Sequence, residues 1–308
     1  MAPPLVAIVG PTASGKSALA LRVAGARAGE IVSCDSLQVF RGLDIGSAKP
    51  TPEERRAVPH HLIDVADPDE MFSAAEYARR ARAAVAEIRA RGRLPVVVGG
   101  TGLYLRALLQ GLFEGPARDE ALRRRLERIA VRFGSERLHR LLGRIDPDAA
   151  ARIRPRDRVR VVRALEVFRA TGSTLTARQR EGAKPLEGFR VRVLGLAPDR
   201  VRLREAVVVR AREMLARGLV EEVRGLLARG LRPDARPLQA IGYRQAVSVL
   251  RGELTGEEAQ RAIVQATMRY AKRQMTWFRH QAEVTWVLDA EDGFERALAF
   301  VDGPTDPS

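Results

Sequence analysis

The chemistry-bearing residues cluster at three glycine-marked places. Gly10-Pro11-Thr12-Ala13-Ser14-Gly15-Lys16-Ser17 follows an apolar run and fits the spacing G-x-x-x-x-G-K-[ST]. Such glycines let backbone N–H groups turn inward around phosphate oxygens, and a following helix start adds partial positive charge. Lys16 would reach a terminal phosphate and Ser17 would hold Mg²⁺. The competing reading is a plain strand-to-helix turn. Asp35-Ser36-Leu37-Gln38 ends the next apolar run, where Asp35 could help hold the metal, act as a general base or simply cap a turn. Gly99-Gly100-Thr101-Gly102-Leu103-Tyr104 brings flexible backbone and a hydroxyl to the same edge. No apolar run ends in a metal-site aspartate unless Asp35 serves, which argues against a plain ATPase. His60-His61 has no cysteine or carboxylate at metal spacing, so packing or a turn is expected.

The elements that must position these residues alternate. Leu5–Val9, Ile31–Cys34 and Pro95–Val98 are short apolar runs suited to buried parallel strands, with helical patterns over Ser17–Ala26 and Ala74–Arg91. That alternation predicts an α/β fold with an open parallel sheet. The rest reads as mostly helical apart from a strand at Arg190–Gly195. If that strand rejoins the first sheet, the piece before it is an insertion.

Composition excludes several classes. Of 308 residues, 53 are Lys or Arg and 38 Asp or Glu, a formal +15, and only four of the cations are lysines. Cys34 is the single cysteine, which excludes an intramolecular disulfide framework and a multi-cysteine zinc site. The uncharged stretch Met1–Gly15 is too short for a membrane span and lacks a signal peptide's positive start, so no membrane association and a cytoplasmic location are expected. The charge is unevenly spread: residues 1–116 carry +2, residues 117–190 carry +10 and residues 191–308 carry +3. A helical nucleic-acid module is therefore expected at 117–189, inserted in a core of 1–116 and 190–301, with a frayed tail at 302–308.

Within the basic piece, Arg156, Arg160 and Arg163 are expected to share one helical face that grips phosphates or faces solvent. Met268–Arg279 interleaves cations with aromatics, a pattern suited to base stacking, although Trp277 and Phe278 read better as core. Pro237–Gln245 places polar side chains around Gly242 and is uninformative by itself.

Taken together these residues resemble the tRNA dimethylallyltransferase (tRNA isopentenylpyrophosphate transferase) family, bacterial type. The markers are Gly10–Ser17, Asp35–Gln38, Asp44–Pro50, His60–Asp64, Gly99–Tyr104, Arg163–Glu166, Ile241–Tyr243, Ala271–Gln274 and Thr276–Arg279, spread through nearly the whole chain. The resemblance implies a P-loop NTPase-like core with an inserted helical tRNA-binding domain. It implies transfer of a dimethylallyl group from dimethylallyl diphosphate to the exocyclic amine of the adenosine 3′ of the anticodon, in tRNAs reading U-starting codons. It also implies Mg²⁺ as cofactor and a monomer. Carried over by matching position, Asp35 is the base, Thr101 positions the reacting groups, and Gly10–Ser17 with Arg210 binds diphosphate. Asp35, Ser36, Leu37, Gln38, Thr101, Arg123, Arg158, Val159, Arg160, Val161, Val162, Gln239, Gly242, Tyr243 and Arg244 match segments that meet tRNA.

The chain departs from the family pattern at Ala206 and Met268, where arginine is usual; Arg202 or Arg204 stands near the first. A P-loop small-molecule kinase, an isopentenyltransferase of free adenine nucleotides and a non-catalytic RNA chaperone compete with this reading. The first two leave the +10 piece unexplained, and the third has no use for Lys16, Ser17 or Asp35.

Overall fold

Valine-rich runs with no polar alternation can bury both faces, and here they do. The computed structural model describes residues 2–113, 115–116, 119–182, 184–287 and 289–303. Its six strands are β1 (Pro4–Val9), β2 (Glu30–Ser33), β3 (His60–His61), β4 (Pro95–Gly99), β5 (Arg190–Leu196) and β6 (Thr285–Val287). They form one sheet of order β3-β2-β4-β1-β5-β6 in which all pairs are parallel. β1 pairs with β4 from Val6↔Val96 to Val9↔Gly99, and with β5 from Pro4↔Arg190 to Val9↔Gly195. The strand at 190 does rejoin the first sheet. β3 and β6 were not expected; edge strands of two and three residues carry no readable period.

Helices α1 (Lys16–Ala26), α2 (Pro52–Ala57), α3 (Ala74–Ala90) and α4 (Gly102–Gln110) alternate with the first four strands. α1 lays Leu19, Ala20, Val23 and Ala24 on Val6, Ile8, Ile31 and Val96. Each large aliphatic side chain buried here stabilises the sheet by roughly 1.5–3 kcal/mol. The chain divides into two compact units, 1–108 with 186–308, and 109–185.

The second unit holds α5 (Glu120–Phe133), α6 (Ser135–Ile145), α7 (Pro147–Arg152), α8 (Arg158–Thr171) and α9 (Leu175–Glu181) around Leu126, Leu138, Leu142, Val161 and Leu165. Its limits differ from the composition break at 117–189. Gly111 packs so closely on the Lys184 backbone that a Cβ would lie 2.7 Å from its carbonyl, tying Gly111 to this unit. Phe189 instead lies under Arg89 of α3, in the sheet unit.

The sheet unit continues with α10 (Arg200–Ala216), α11 (Leu219–Ala228), a 3₁₀ turn (Arg236–Gln239), α12 (Tyr243–Leu250), α13 (Gly256–Gln281) and α14 (Ala290–Asp302). α10, α11, α12 and α13 pack around Val207, Ala211, Leu219, Tyr243 and Ile263. Asp302, expected in the tail, closes α14 and pairs with Arg27; the remaining tail expectation, at 304–308, lies outside the described residues. Among the described residues no helix is long and apolar enough to cross a membrane.

Candidate active site

The phosphate cradle is built by backbone that only glycine permits. Gly10 sits at φ +153°, and a Cβ there would lie 2.7 Å from the Leu196 carbonyl and 2.9 Å from Ser14 Oγ. The loop can therefore fold tightly over the end of β1. α1 then starts with no side-chain cap and no acidic residue in its first turn. By contrast α3, α8, α10 and α13 are capped by Ser73, Asp157, Asp199 and Thr255. Unclaimed N–H groups and the dipole make this helix start an anion site. Ser14 Oγ is buried without a partner among the described residues, as expected where a ligand oxygen belongs.

Two cations converge on the cradle. Lys16 Nζ donates to the Pro11 carbonyl at 3.1 Å. Desolvation, and then repulsion from Arg210, pushes Lys16 down to about 8, with Asp35 opposing. Burial likewise lowers Arg210, while Asp35 and Glu213 raise it. Both cations line one cavity of about 1200 Å³ together with Thr12, Ser17 and Asp35.

Asp35 plays the capping role and faces the site as well. Its Oδ1 accepts from Leu37 N at 2.8 Å and Gln38 N at 3.4 Å, which fixes the turn after β2. Thr101 N donates to the Cys34 carbonyl at 3.2 Å and Thr101 Oγ1 accepts from Ser36 N at 3.2 Å. The Gly99–Tyr104 loop is thus strapped to the Asp35 turn. Gly99 is required there, since a Cβ would lie 2.0 Å from the Cys34 carbonyl. Gln38 is committed to the protein: its Oε1 accepts from Ser33 Oγ at 2.8 Å and its Nε2 donates to the Ala48 carbonyl at 3.1 Å.

The cavity wall is both cationic and apolar. Arg229, Arg232, Arg236, Arg244, Arg269 and Arg273 line it, with Asp67, Asp69 and Glu70 on the acidic side. Leu37, Phe72, Tyr104, Val207 and Met214 supply apolar surface, and Tyr104 stacks on Tyr77 with centroids 4.2 Å apart.

For a divalent cation the available donors are hard oxygens. Ser17 and Asp35 both line the cavity, and no group of three or more His, Cys, Asp or Glu placed to hold a metal ion exists among the described residues. One or two protein oxygens beside a phosphate-binding loop fit Mg²⁺, which is typically held by substrate phosphates and few carboxylates. His60 and His61 instead lie on the edge strand β3, His61 Nε2 being 2.7 Å from Glu30 Oε2.

Several expected RNA contacts are placed otherwise. Gln239 and Arg244 are exposed and line the cavity. Gly242 and Tyr243 are buried, and the Tyr243 hydroxyl donates to Glu222 Oε1 at 2.8 Å, so this ring is a core brace. In the helical unit Val161 and Val162 are core, whereas Arg158, Val159 and Arg160 are exposed. Arg123 makes two 2.8 Å hydrogen bonds to the fully buried Glu166. The expected stripe of Arg156, Arg160 and Arg163 is not a helix face. Arg156 precedes the Asp157 cap of α8, and Arg163 is drawn back onto Glu166 at 2.7 Å. Of the two substitutes considered for Ala206, Arg202 is exposed and pairs with its own helix cap Asp199, and neither it nor Arg204 lines the cavity.

Sequence reading missed Arg229, Arg232 and Arg236, which follow α11 in a segment with little net charge. A signal for Gln274 was present: a polar amide on the buried stripe of a long helix.

Comparison with known proteins shows the family. The family model described as IPP transferase matches residues 38–281. The tRNA dimethylallyltransferase of Koribacter versatilis is 52% identical over 285 residues, 92% of each chain. The tRNA isopentenylpyrophosphate transferase structure from Bacillus halodurans is 42% identical with a TM-score of 0.70, covering 97% of this chain and 96% of that one. A eukaryotic dimethylallyltransferase, caught in crystallographic snapshots acting on tRNA, is 25% identical with a TM-score of 0.78, covering 99% of this chain and 81% of that one. The chain belongs to the IPP transferase family, with a P-loop NTPase-like fold and tRNA dimethylallyltransferases as its relatives.

Proposed function

We propose that this chain transfers a dimethylallyl group from dimethylallyl diphosphate to the exocyclic amine of a tRNA adenosine, the one 3′ of the anticodon in tRNAs reading U-starting codons. The observation that carries the reading is one cavity in which the uncapped start of α1, Lys16 and Arg210 meet Asp35 and an apolar wall. A kinase cradle needs no such wall, and an RNA chaperone needs no cradle.

In this reading the adenine amine attacks the allylic carbon as the carbon–oxygen bond to diphosphate breaks. The bonding pair leaves with the diphosphate, and the amine's proton passes to the Asp35 carboxylate. The cradle amides, Lys16 and Arg210 meet the charge that develops on the departing diphosphate. Ser17 would hold Mg²⁺, whose charge, when bound, offsets that of the diphosphate. Thr101, bonded to Ser36, fixes where the Asp35 turn stands. The target base must leave its stack to reach the cavity. Gln239 and Arg244 on the cavity wall, with Arg158, Val159 and Arg160 on the helical unit, are the tRNA contacts of this proposal. The protein acts as a cytoplasmic monomer.

The test is incubation with tRNA, Mg²⁺ and labelled dimethylallyl diphosphate, in which the tRNA becomes labelled. Label on free AMP, or ATP hydrolysis with no transfer, rejects the proposal. Asp35→Ala should cut single-turnover transfer by about 10²–10⁴-fold while tRNA affinity changes less. Equal loss of both would make Asp35 a binding residue.

A further inference from the structure

We infer that Gln274 is a positioning residue that holds the phosphate cradle and the Gly99–Tyr104 loop in one register. The inference rests on the transferase reading of the cavity. Gln274 lies on α13 and is 7% exposed, with its carboxamide directed away from its own helix. Its Oε1 accepts from Thr12 N at 3.0 Å, and its Nε2 donates to the Gly100 carbonyl at 2.9 Å. A buried amide has to find partners for both ends, and this one finds them on two different functional loops.

The fit around the bridge is close. A Cβ on Gly100 would lie 2.2 Å from Gln274 Nε2. One turn further along α13 the Trp277 ring covers Gly102 so closely that a Cβ there would lie 2.2 Å from it. One turn back, Tyr270 lines the cavity that holds Lys16 and Asp35. Residues 270, 274 and 277 share one helical face, so one rigid element carries the whole frame.

The bonds link up in series. They run from Thr12 in the cradle through Gln274 to Gly100, and from Thr101 to Ser36 beside Asp35. Gln274 therefore sets where the leaving group stands relative to the base. It touches neither reacting atom; its effect passes through the two loops.

The test uses the full chain with Gln274→Met, which keeps volume and loses both bonds, and Gln274→Glu, which keeps an acceptor for Thr12 N only. In Gln274→Met kcat should fall on the order of 30–100-fold, as expected for a small misplacement of reacting groups, with both KM values within about threefold. Gln274→Glu should lie between Gln274→Met and the wild type. A kcat within about threefold of wild type in Gln274→Met, or a diphosphate KM that rises as far as kcat falls, overturns the inference.

Amide hydrogen exchange reads the bridge without chemistry. Thr12 exchange should speed up at least about tenfold in Gln274→Met, the worth of one hydrogen bond, and stay slow in Gln274→Glu. An unchanged rate in Gln274→Met overturns the inference whatever the wild type transfers. A wild type that labels no tRNA is a separate failure, that of the transferase reading.

Discussion

Two sets of arginines, one in each unit, are used in opposite ways. In the helical unit one set is answered by carboxylates: Arg123 and Arg163 converge on buried Glu166, Arg160 pairs with Asp157 and Arg180 with Asp148. In the sheet unit, Arg210, Arg229, Arg236, Arg244 and Arg269 line one cavity and make no ion pair among the described residues. Yet the composition break assigned +10 to residues 117–190, against +2 to residues 1–116 and +3 to residues 191–308, where these five arginines lie. Net charge along a sequence counts cations; it does not say which are already answered by a carboxylate. Field strength at a site comes from convergence of unpaired charge in a concave, partly desolvated place. By that standard an anion site forms in the unit to which composition gave the smaller share of the charge.

The largest expected effect tests the structural half of the contrast. Glu166→Ala leaves Arg123 and Arg163 facing each other without their carboxylate, and should destabilise the helical unit by about 3–5 kcal/mol in urea unfolding followed by exchange of α5 and α8 amides. Arg160→Ala, at an exposed pair, should stay within about 0.5 kcal/mol. Equal effects would erase the distinction between the braced and the exposed arginines. Although burial raises the Glu166 carboxyl, bonds from Arg123, Arg163 and the Asp119 amide bring it down to about 2, below the ordinary 4.5. A carboxyl depressed on folding contributes stability that is complete above about 4.5 and is lost as pH falls toward about 2. Glu166→Gln should lose that pH dependence, and a wild-type unit equally stable at both ends of the window would contradict the assignment.

Next in size is the functional half. Arg210→Ala removes one of two cations on the departing diphosphate and should cost on the order of 10²-fold in kcat/KM for the allylic diphosphate, with little change in tRNA affinity. The same variant should shift a titration. Lys16 is held down to about 8 first by desolvation and then by Arg210, so diphosphate affinity in the wild type should decline as pH rises through about 8. Without Arg210 that decline should move to higher pH. A limb that stays in place would mean that the two cations do not share the site.

How much of this was legible follows from range. The cradle, the Asp35 turn and the Gly99–Tyr104 loop are local: each lies where a strand of apolar residues ends, and the topology of an open sheet brings such ends together. Periodicity could not separate Val161 and Val162 from Val159, because all three are valines on one helix and only the packing of α5 and α6 decides which face is covered. Arg123 and Glu166 are 43 residues apart, so their pairing has no local sign. The same holds for the arginines after α11 and for Gln274, whose partners lie 262 and 174 residues away. The local rules place a residue on an element; they do not say what that element meets.

The smallest effect compares the two arginine sets directly as tRNA contacts. If unpaired, converging arginines are what the RNA backbone meets, then Arg229→Ala with Arg236→Ala should lower the slope of log affinity against log salt by about 0.7 for each phosphate left without its cation, the single-strand value. Arg158→Ala with Arg160→Ala probes the exposed start of α8 in the same way. There Arg160 already pairs with Asp157, so part of its charge is answered before RNA arrives and its share of the slope should be smaller. The absolute affinity losses should be only several-fold each at moderate salt, because each arginine is one cation among many. The ranking decides the matter: a larger slope change from the α8 pair than from the cavity pair would return the RNA-binding field to the helical unit, where composition first put it. A larger change from the cavity pair would mean that the arginines meeting the RNA backbone line the same cavity as the phosphate cradle.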